Sequence, residues 1–236
     1  MNLTRTPFGI AVETKPGSLL PIRHIIGIGM NYAEHAREQG KGVPERPVLF
    51  TKNPLSPILH GEDIVIPKVC QEKPQVDFEA ELGVIVGTRC RDVAKADAFK
   101  VILGYCTAND VSARWWQKEG SGGQFYRGKS FDTFCPIGPS VIPAAEIKNP
   151  QNLRLQTRLN GVTMQDANTS DMIFDIPTLI HEISRGTTIP EGTLILTGTP
   201  SGVGFARNPA IFLKAGDVVE IEVEHCGVLR NAVRFE

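Results

Sequence analysis

Prolines divide the first third of the chain into short segments, which limits the structures that it can form. Proline has no backbone N–H to donate to a helix or to a central strand. Between residues 44 and 67 the prolines are Pro44, Pro47, Pro54, Pro57 and Pro67. Only short strands fit between them, and Val48–Thr51 and Asp63–Ile66 have the composition of such strands.

The C-terminal third also has the pattern of β-structure. Apolar and polar residues alternate in Leu153–Leu159 and in Val219–Glu224, and Asn160-Gly161 is a strong signal for a hairpin turn. One clear helix is predicted, beginning after Asp175 and ending at Ser184. Many strands and a few short helices indicate an α+β, β-dominated fold.

The length and composition fit one globular domain. The chain has 236 residues, of which 41% are hydrophobic and 22% are charged, and such a chain can bury a core without disulfide bonds. We expect residues 1–22 to be a short N-terminal extension that forms one edge hairpin, and residues 23–236 to be the main domain.

Charge and cysteine content argue against several classes of protein. The formal net charge is -1 without a basic block, so no nucleic-acid partner is predicted. The five cysteines are scattered singly, which disfavours a thiolate zinc site and indicates reduced thiols. No signal peptide or membrane-spanning apolar run is visible. These features predict a cytoplasmic protein without a membrane partner.

The most informative segment is the acidic strand predicted at Asp77–Gly87. Side chains alternate on a strand, so Asp77, Glu79 and Glu81 would share one face. Their mutual repulsion would be costly in the core unless a cation neutralised it, and Mg²⁺ or Mn²⁺ binds such oxygen ligands. A solvated acidic face is the alternative. Asp110 favours the metal site, because it ends the next apolar strand and precedes a predicted helix.

A short helix predicted at residues 32–39, with Asn31 as its N-cap, would place His35 and Glu38 on one face. A carboxylate in this position can orient a histidine as a general base. By itself, an i,i+3 pair of this kind is more often a surface feature.

Four ordered sequence blocks resemble the fumarylacetoacetate hydrolase family, and the resemblance extends from about residue 24 to the C-terminus. The blocks are Val76–Gly83, Thr107–Arg114, Gly128–Phe134 and Thr197–Gly204. The resemblance implies a mixed β-roll or sandwich fold with a few short helices, and commonly a homodimer. It also implies a metal site formed by Glu79, Glu81 and Asp110, with Asp77 outside the set of ligands. Mg²⁺ is the expected ion, and Mn²⁺ or Ca²⁺ would also suit the oxygen ligands.

The resemblance also assigns roles to other residues. It implies that His35 and Glu38 activate water and that Lys129 stabilises negative charge on the substrate. The expected substrate contacts are Gly29, Lys52, Gln117, Arg127 and Thr199. For Thr199 the sequence itself gives a reason, since its glycine-rich surroundings predict a tight loop that brings backbone amides and the hydroxyl toward a ligand.

These features predict an enzyme that acts on a small 2-oxo acid through a metal-stabilised enolate. Hydrolysis of the carbon–carbon bond of an acylpyruvate, which gives pyruvate and a carboxylic acid, is the first interpretation. The same enolate would form in oxaloacetate decarboxylation, in keto–enol tautomerisation, or in isomerisation of the 2-hydroxyhepta-2,4-diene-1,7-dioate type. A metal-binding module without catalysis is a further alternative, which the presence of His35, Glu38 and Lys129 together disfavours.

Overall fold

Strands dominate the structure, a computed structural model that describes residues 1–38, 40 and 42–236. The first strands are β1 (Asn2–Thr6), β2 (Gly9–Lys15), β3 (Ser18–Pro21), β4 (His24–Gly29), β5 (Val48–Lys52), β6 (Pro57–Leu59), β7 (Ile64–Ile66), β8 (Val76–Asp77) and β9 (Ala80–Val86). The others are β10 (Ile102–Asn109), β11 (Ser112–Ala113), β12 (Cys135–Pro143), β13 (Arg154–Leu159), β14 (Val162–Asn168), β15 (Thr193–Leu196), β16 (Val218–Val223) and β17 (Gly227–Phe235).

Helices are few and short. The α-helices are α1 (Ala33–Glu38), α2 (Arg114–Gln117), α3 (Phe125–Lys129) and α4 (Ile176–Ser184). The 3₁₀ helices are Lys68–Cys70, Lys95–Val101, Glu119–Ser121, Ala144–Glu146, Thr169–Asp171 and Gly204–Ala206. The predicted α+β, β-dominated fold is confirmed. Among the described residues, no helix is long and apolar enough to span a membrane.

Within the described part of the chain, the strands form two large sheets and one small one. The largest sheet has the order β3-β2-β1-β12-β10-β9-β15-β4-β5, and β6 also pairs with β12. A second sheet has the order β14-β13-β16-β17-β7, and β8 pairs with β11. Buried apolar residues of both large sheets contribute to the main hydrophobic core, including Leu82 of β9 and Leu155 of β13.

Residues 1–22 are joined to the largest sheet. Strands β1, β2 and β3 form an antiparallel meander at its edge, and Asn2 of β1 is paired with Ser140 of β12. Ile10, Val12 and Ile22 are buried in a second hydrophobic cluster. The predicted extension is therefore three strands that extend the sheet, rather than a single hairpin.

Strands β9 and β10 form the antiparallel pair that positions the acidic residues. All seven residues of β9 are buried, in agreement with its apolar composition on both faces. Because the strands are antiparallel, the beginning of β9 lies beside the end of β10, and Ala80 is paired with Asn109. Residues just before β9 and just after β10 are thus brought together.

Several local predictions differ from the structure. Asp110 is followed by β11, and the helix expected there begins at Arg114. The Asn31 side chain does not act as the predicted helix cap, because it bonds Phe174 and the Thr197 carbonyl. Helix α1 is described to Glu38, and residue 39 of the predicted helix lies outside the described residues.

Candidate active site

Three buried carboxylates converge at the junction of β9 and β10. Glu81 lies on β9, Glu79 precedes this strand, and Asp110 follows β10. The backbone of Asp110 donates a hydrogen bond to the Glu79 carbonyl (3.0 Å), which holds the two segments together. One carboxylate oxygen from each residue lies within 4.8 Å of the others. The three residues predicted as metal ligands are therefore brought together, although Glu79 lies in the break between β8 and β9.

Asp77 has different partners from the other acidic residues. Its carboxylate accepts hydrogen bonds from Arg114 Nε (2.6 Å) and from the backbone N–H of Phe205 (2.7 Å). Arg114 also forms an ion pair with Glu79 through Nη2 (2.8 Å). Asp77 thus holds Arg114 against the acidic cluster, which agrees with its predicted place outside the ligand set.

Two buried lysines contact the cluster. Lys129 Nζ donates to Glu79 Oε2 (2.7 Å) and to Asp110 Oδ2 (2.6 Å). Lys52 Nζ donates to the other oxygen of Asp110. Burial disfavours the charged form of Glu79, but the positive charges of Lys129 and Arg114 outweigh this effect and lower its pKa to about 2.

Among the described residues of the acidic cluster, Glu81 is the one that forms no ion pair with a lysine or arginine. Its carboxylate accepts one hydrogen bond from the backbone N–H of Gly198 (2.7 Å), and the residue is 1% exposed. Burial and the negative charges of Asp110 and Glu79 raise its pKa well above the usual value. A cation bound by the three carboxylates would relieve this repulsion, so these side chains fit a divalent metal ion.

His35 and Glu38 form the predicted pair on α1. His35 Nδ1 lies 3.0 Å from Glu38 Oε2, and the backbone N–H of Gly202 donates to Glu38 Oε1 (3.0 Å). Burial raises the pKa of Glu38, but the hydrogen bonds from His35 and Gly202 prevail and the pKa is lowered. A neutral imidazole that donates to a carboxylate through Nδ1 carries its one proton there. In that tautomer Nε2 is the acceptor nitrogen of this histidine.

A cavity of about 550 Å³ connects these groups. Its lining includes predicted site residues from several elements, namely Gly29, His35, Glu79, Gln117, Lys129 and Thr199. The rings of Phe50, Phe125 and Phe205 add apolar surface. Glu79 of the acidic cluster, a lysine and an oriented histidine therefore border one chamber large enough for a small organic acid.

Two predicted substrate contacts lie elsewhere. Lys52 is buried against Asp110 and does not line the cavity. Arg127 lies over the rings of Phe131 (4.4 Å) and Trp116 (5.5 Å), and it also does not line the cavity. The structure thus brings Lys52 to the acidic cluster and separates Arg127 from it.

The loop at Thr197–Gly204 connects the two halves of the site. Its amides at Gly198 and Gly202 donate to Glu81 and Glu38, so these amides hold protein carboxylates rather than facing a ligand. Gly198 has a φ of +99°, and a Cβ there would lie 2.7 Å from the Asn31 Cβ. Glycine is therefore required for this turn.

Sequence reasoning missed Arg114 and Gln165 as members of the site. Arg114 stands at the end of a recognised block, and this position could have identified it. Gln165 is a buried amide on β14 that bonds Thr199 and the backbone N–H of Ala80. The sequence could have indicated Gln165 only as a polar residue at an inward-facing position of a predicted strand.

Comparison with known sequences identifies related proteins. The family profile described as fumarylacetoacetate (FAA) hydrolase C-terminal matches residues 24–234. The oxaloacetate tautomerase FAHD2A, mitochondrial, of Bos taurus is 43% identical over 89% of this chain. The oxaloacetate tautomerase YisK of Bacillus subtilis is 41% identical over 90% of this chain. The chain spans 66% of the length of the first protein and 70% of the second.

Solved structures with similar folds include two that cover most of this chain. A fumarylacetoacetate hydrolase from Exiguobacterium antarcticum has a TM-score of 0.83 and 39% identity, covering 92% of this chain and 78% of that protein. A 2-hydroxyhepta-2,4-diene-1,7-dioate isomerase from Mycobacterium marinum has a TM-score of 0.79 and 34% identity, covering 99% of this chain and 86% of that protein.

Proposed function

The chain belongs to the fumarylacetoacetate hydrolase family, and on that basis we propose that it catalyses the keto–enol tautomerisation of oxaloacetate with a divalent metal ion. The observation that carries the proposal is that the His35 imidazole, held by Glu38, lines the same cavity as Lys129 and Glu79. Tautomerisation requires a group that moves a proton to or from carbon beside a site that stabilises charge on oxygen.

The relatives support this reaction over the hydrolysis favoured by the sequence motifs. The relatives named oxaloacetate tautomerase are 40–44% identical to this chain. Similar structures named isomerases, including the one from Mycobacterium marinum, also favour a rearrangement over hydrolysis. The alternative that the sequence left open is therefore the better supported proposal.

The metal site is proposed at Glu79, Glu81 and Asp110, with Mg²⁺ as the first candidate and Mn²⁺ and Ca²⁺ as the others. When bound there, a divalent ion would supply Lewis-acid polarisation of the 2-oxo group. Without it, the three carboxylates and Asp77 outnumber Lys52, Arg114 and Lys129. With the divalent ion bound, positive charge would exceed negative charge at the site, which favours binding of a dianionic oxo acid.

In the proposed reaction, His35 Nε2 takes the proton from C3 of keto-oxaloacetate. The C–H electron pair forms the C2–C3 double bond, and the carbonyl electron pair passes to the C2 oxygen. This oxygen takes up a proton from solvent to give the enol, and the His35 imidazolium returns its proton to solvent. The reverse direction uses the same groups. Glu38 orients the imidazole, and the Lys129 ammonium stabilises negative charge on the oxygen. An ammonium has three donors, and Lys129 uses two of them for Glu79 and Asp110.

The test follows the enol absorbance of oxaloacetate in the ultraviolet with purified protein and Mg²⁺ or Mn²⁺. We expect metal-dependent acceleration over the spontaneous rate, and its loss by about a hundredfold or more in His35→Asn. His225→Asn is the matched control, since His225 is exposed and has a φ of +66° that asparagine tolerates. Acceleration that His35→Asn leaves unchanged would exclude the proposed proton transfer.

Acylpyruvate hydrolysis is the second candidate, because an imidazole oriented by a carboxylate can also activate water. The two reactions are distinguished by their products. Incubation with acetylpyruvate would yield pyruvate and acetate if the hydrolase assignment holds. Pyruvate release from oxaloacetate, measured in parallel, would instead report decarboxylation.

A further inference from the structure

We propose that Gln165 is a positioning residue that fixes the Thr199 hydroxyl as a hydrogen-bond donor to an anionic oxygen of the substrate. The proposal rests on the proposed function, because it takes the substrate to be a 2-oxo acid bound in the cavity that Thr199 lines. It assigns a role to a buried amide that is remote in sequence from the acidic residues.

Gln165 uses its whole hydrogen-bonding capacity within the protein. The residue is 1% exposed on β14. Its Oε1 accepts from the backbone N–H of Ala80 (3.0 Å) and from Thr157 Oγ1 (2.7 Å). Its Nε2 donates to Thr199 Oγ1 (2.8 Å) and to the Pro200 carbonyl (2.9 Å). The amide therefore makes two accepted and two donated bonds, which is its full complement.

The orientation of this amide is determined by two partners that each have only one possible role. The backbone N–H of Ala80 can only donate, so the atom facing it must be the oxygen. The carbonyl of Pro200 can only accept, so the atom facing it must be the nitrogen. Exchange of the two atoms by rotation of the amide would break both bonds, and the N–H group is thus aimed at Thr199.

This orientation determines the polarity of the Thr199 hydroxyl. Its oxygen accepts from Gln165, so its single proton is directed elsewhere. Within the described residues, no hydrogen bond uses this proton, and Thr199 is 4% exposed while lining the cavity. A ligand that satisfies the hydroxyl must present an acceptor, as a carboxylate or carbonyl oxygen does.

The same amide sets the distance between this donor and the acidic cluster. Ala80 lies between Glu79 and Glu81, so one side chain links the backbone of the proposed metal-ligand segment to the Thr199 loop. A substrate held by the metal through its 2-oxo acid end would therefore meet a donor at a fixed position. Preorganisation of this kind reduces the cost of ordering the site on binding.

The experiment measures oxalate binding to the Mg²⁺-loaded full chain by calorimetry, independently of turnover. Oxalate is a planar dianion that presents two adjacent acceptor oxygens, as a 2-oxo acid does. We expect Thr199→Val and Gln165→Met each to weaken oxalate binding about tenfold or more, the loss typical of a hydrogen bond to a charged group. The double variant should be no weaker than the weaker single variant, because both changes remove one interaction.

Two further variants separate positioning from general stability. Thr199→Ser keeps the hydroxyl and should bind oxalate as the wild type does. Thr157→Val removes the other hydroxyl bonded to Gln165 while Ala80 still holds the amide, so it controls for a lost buried hydrogen bond. It should lower the melting temperature without changing oxalate affinity. In turnover, Gln165→Met should raise KM with little change in kcat.

Additive losses in the double variant, or unchanged oxalate binding in Gln165→Met, would overturn the proposal. A large loss of Mg²⁺ affinity in Gln165→Met but not in Thr199→Val would also overturn it, because Gln165 would then support the metal ligands instead. Failure of the proposed function has a different signature. Oxalate binding would follow the expected pattern while oxaloacetate was not tautomerised.

Discussion

Glu81 and Asp77 are buried carboxylates four positions apart, yet their surroundings are opposite. Asp77 is paired with Arg114 and bonded to a backbone N–H. Glu81 has a single backbone donor, Gly198, and two carboxylate neighbours. Among the described residues, Asp77 therefore has an ion-paired cation and Glu81 has none.

This contrast predicts opposite effects of removing the two charges. At pH 8 without metal, Glu81→Gln should raise the free energy of unfolding by about 1–3 kcal/mol, because it removes an uncompensated buried charge. Asp77→Asn should lower it by about 3–5 kcal/mol, because the buried Arg114 loses one of its two carboxylate partners. Urea denaturation measures both values. Glu81→Gln should also abolish stabilisation by Mg²⁺, and destabilisation of the metal-free protein by this change would contradict the electrostatic argument.

Glu38 gives a pH-dependent prediction at the same scale. Its folded-state pKa is lowered from the usual 4.5, so its ionised form stabilises the fold at pH values above about 4.5. This contribution is lost as the pH falls through the lowered pKa. Glu38→Gln should therefore cost about 1 kcal/mol near pH 7, and the difference from the wild type should vanish in acid. Denaturation curves recorded from pH 7 to pH 3 test it, and a constant difference would contradict it.

At the scale of elements, the contact between α2 and α3 positions Lys129. Gly128 packs against α2, and a Cβ at this position would lie 2.4 Å from the Gln117 backbone nitrogen and 2.7 Å from the Ala113 carbonyl oxygen. Both contacts are with backbone, which cannot move without displacing the helix. The glycine thus lets the short helix that bears Lys129 approach the helix that bears Arg114 and Gln117.

We expect Gly128→Ala to separate these helices. Overpacking of this kind should cost about 1–3 kcal/mol of stability, and the displacement of Lys129 should reduce kcat. Gly42→Ala is the matched control, since a Cβ at Gly42 meets no atom within 4 Å. Thermal unfolding and turnover of the two variants test the contact. Equal behaviour of the two variants would show that α3 does not depend on close packing at Gly128.

At the scale of the whole molecule, the largest sheet gathers the site from segments far apart in the chain. Strand β4 leads to His35, β9 and β10 position the acidic residues, and β15 leads to the loop that contains Thr199. These four strands are adjacent in the sheet, in the order β10-β9-β15-β4. The cavity therefore lies where the ends of adjacent central strands meet.

The assembly of the molecule is predicted from the family resemblance to be a homodimer. Large apolar side chains at Phe8 and Leu55 are 81% and 59% exposed, and Gly9 lies close to Leu55. Exposed apolar surface of this kind is typical of association sites. Sedimentation or light scattering should give twice the mass of one chain at micromolar concentration. A single-chain mass that persists as the concentration increases would contradict the prediction.

Features that depend on local sequence were predicted well. The hairpin turn at Asn160-Gly161 has positive φ at both residues, and Asp175 caps α4 by accepting from the Thr178 N–H. The pair His35 and Glu38 follows from helical spacing. Alternation along a predicted strand indicated the acidic residues, and the ordered blocks that resemble the family implied the set Glu79, Glu81 and Asp110.

The sequence by itself therefore determined the family, the β-dominated fold, the three acidic residues and the histidine pair, because these depend on short-range periodicity and on ordered motifs. The tertiary structure decided which cations compensate which carboxylates, that Arg127 stacks on aromatic rings while Lys52 joins the acidic cluster, and that Gln165 orients Thr199. Gln165 and Thr199 are 34 positions apart in the sequence, and Lys52 and Asp110 are 58 positions apart. The partner of a buried polar side chain depends on the packing that brings distant segments together, and no local pattern encodes it.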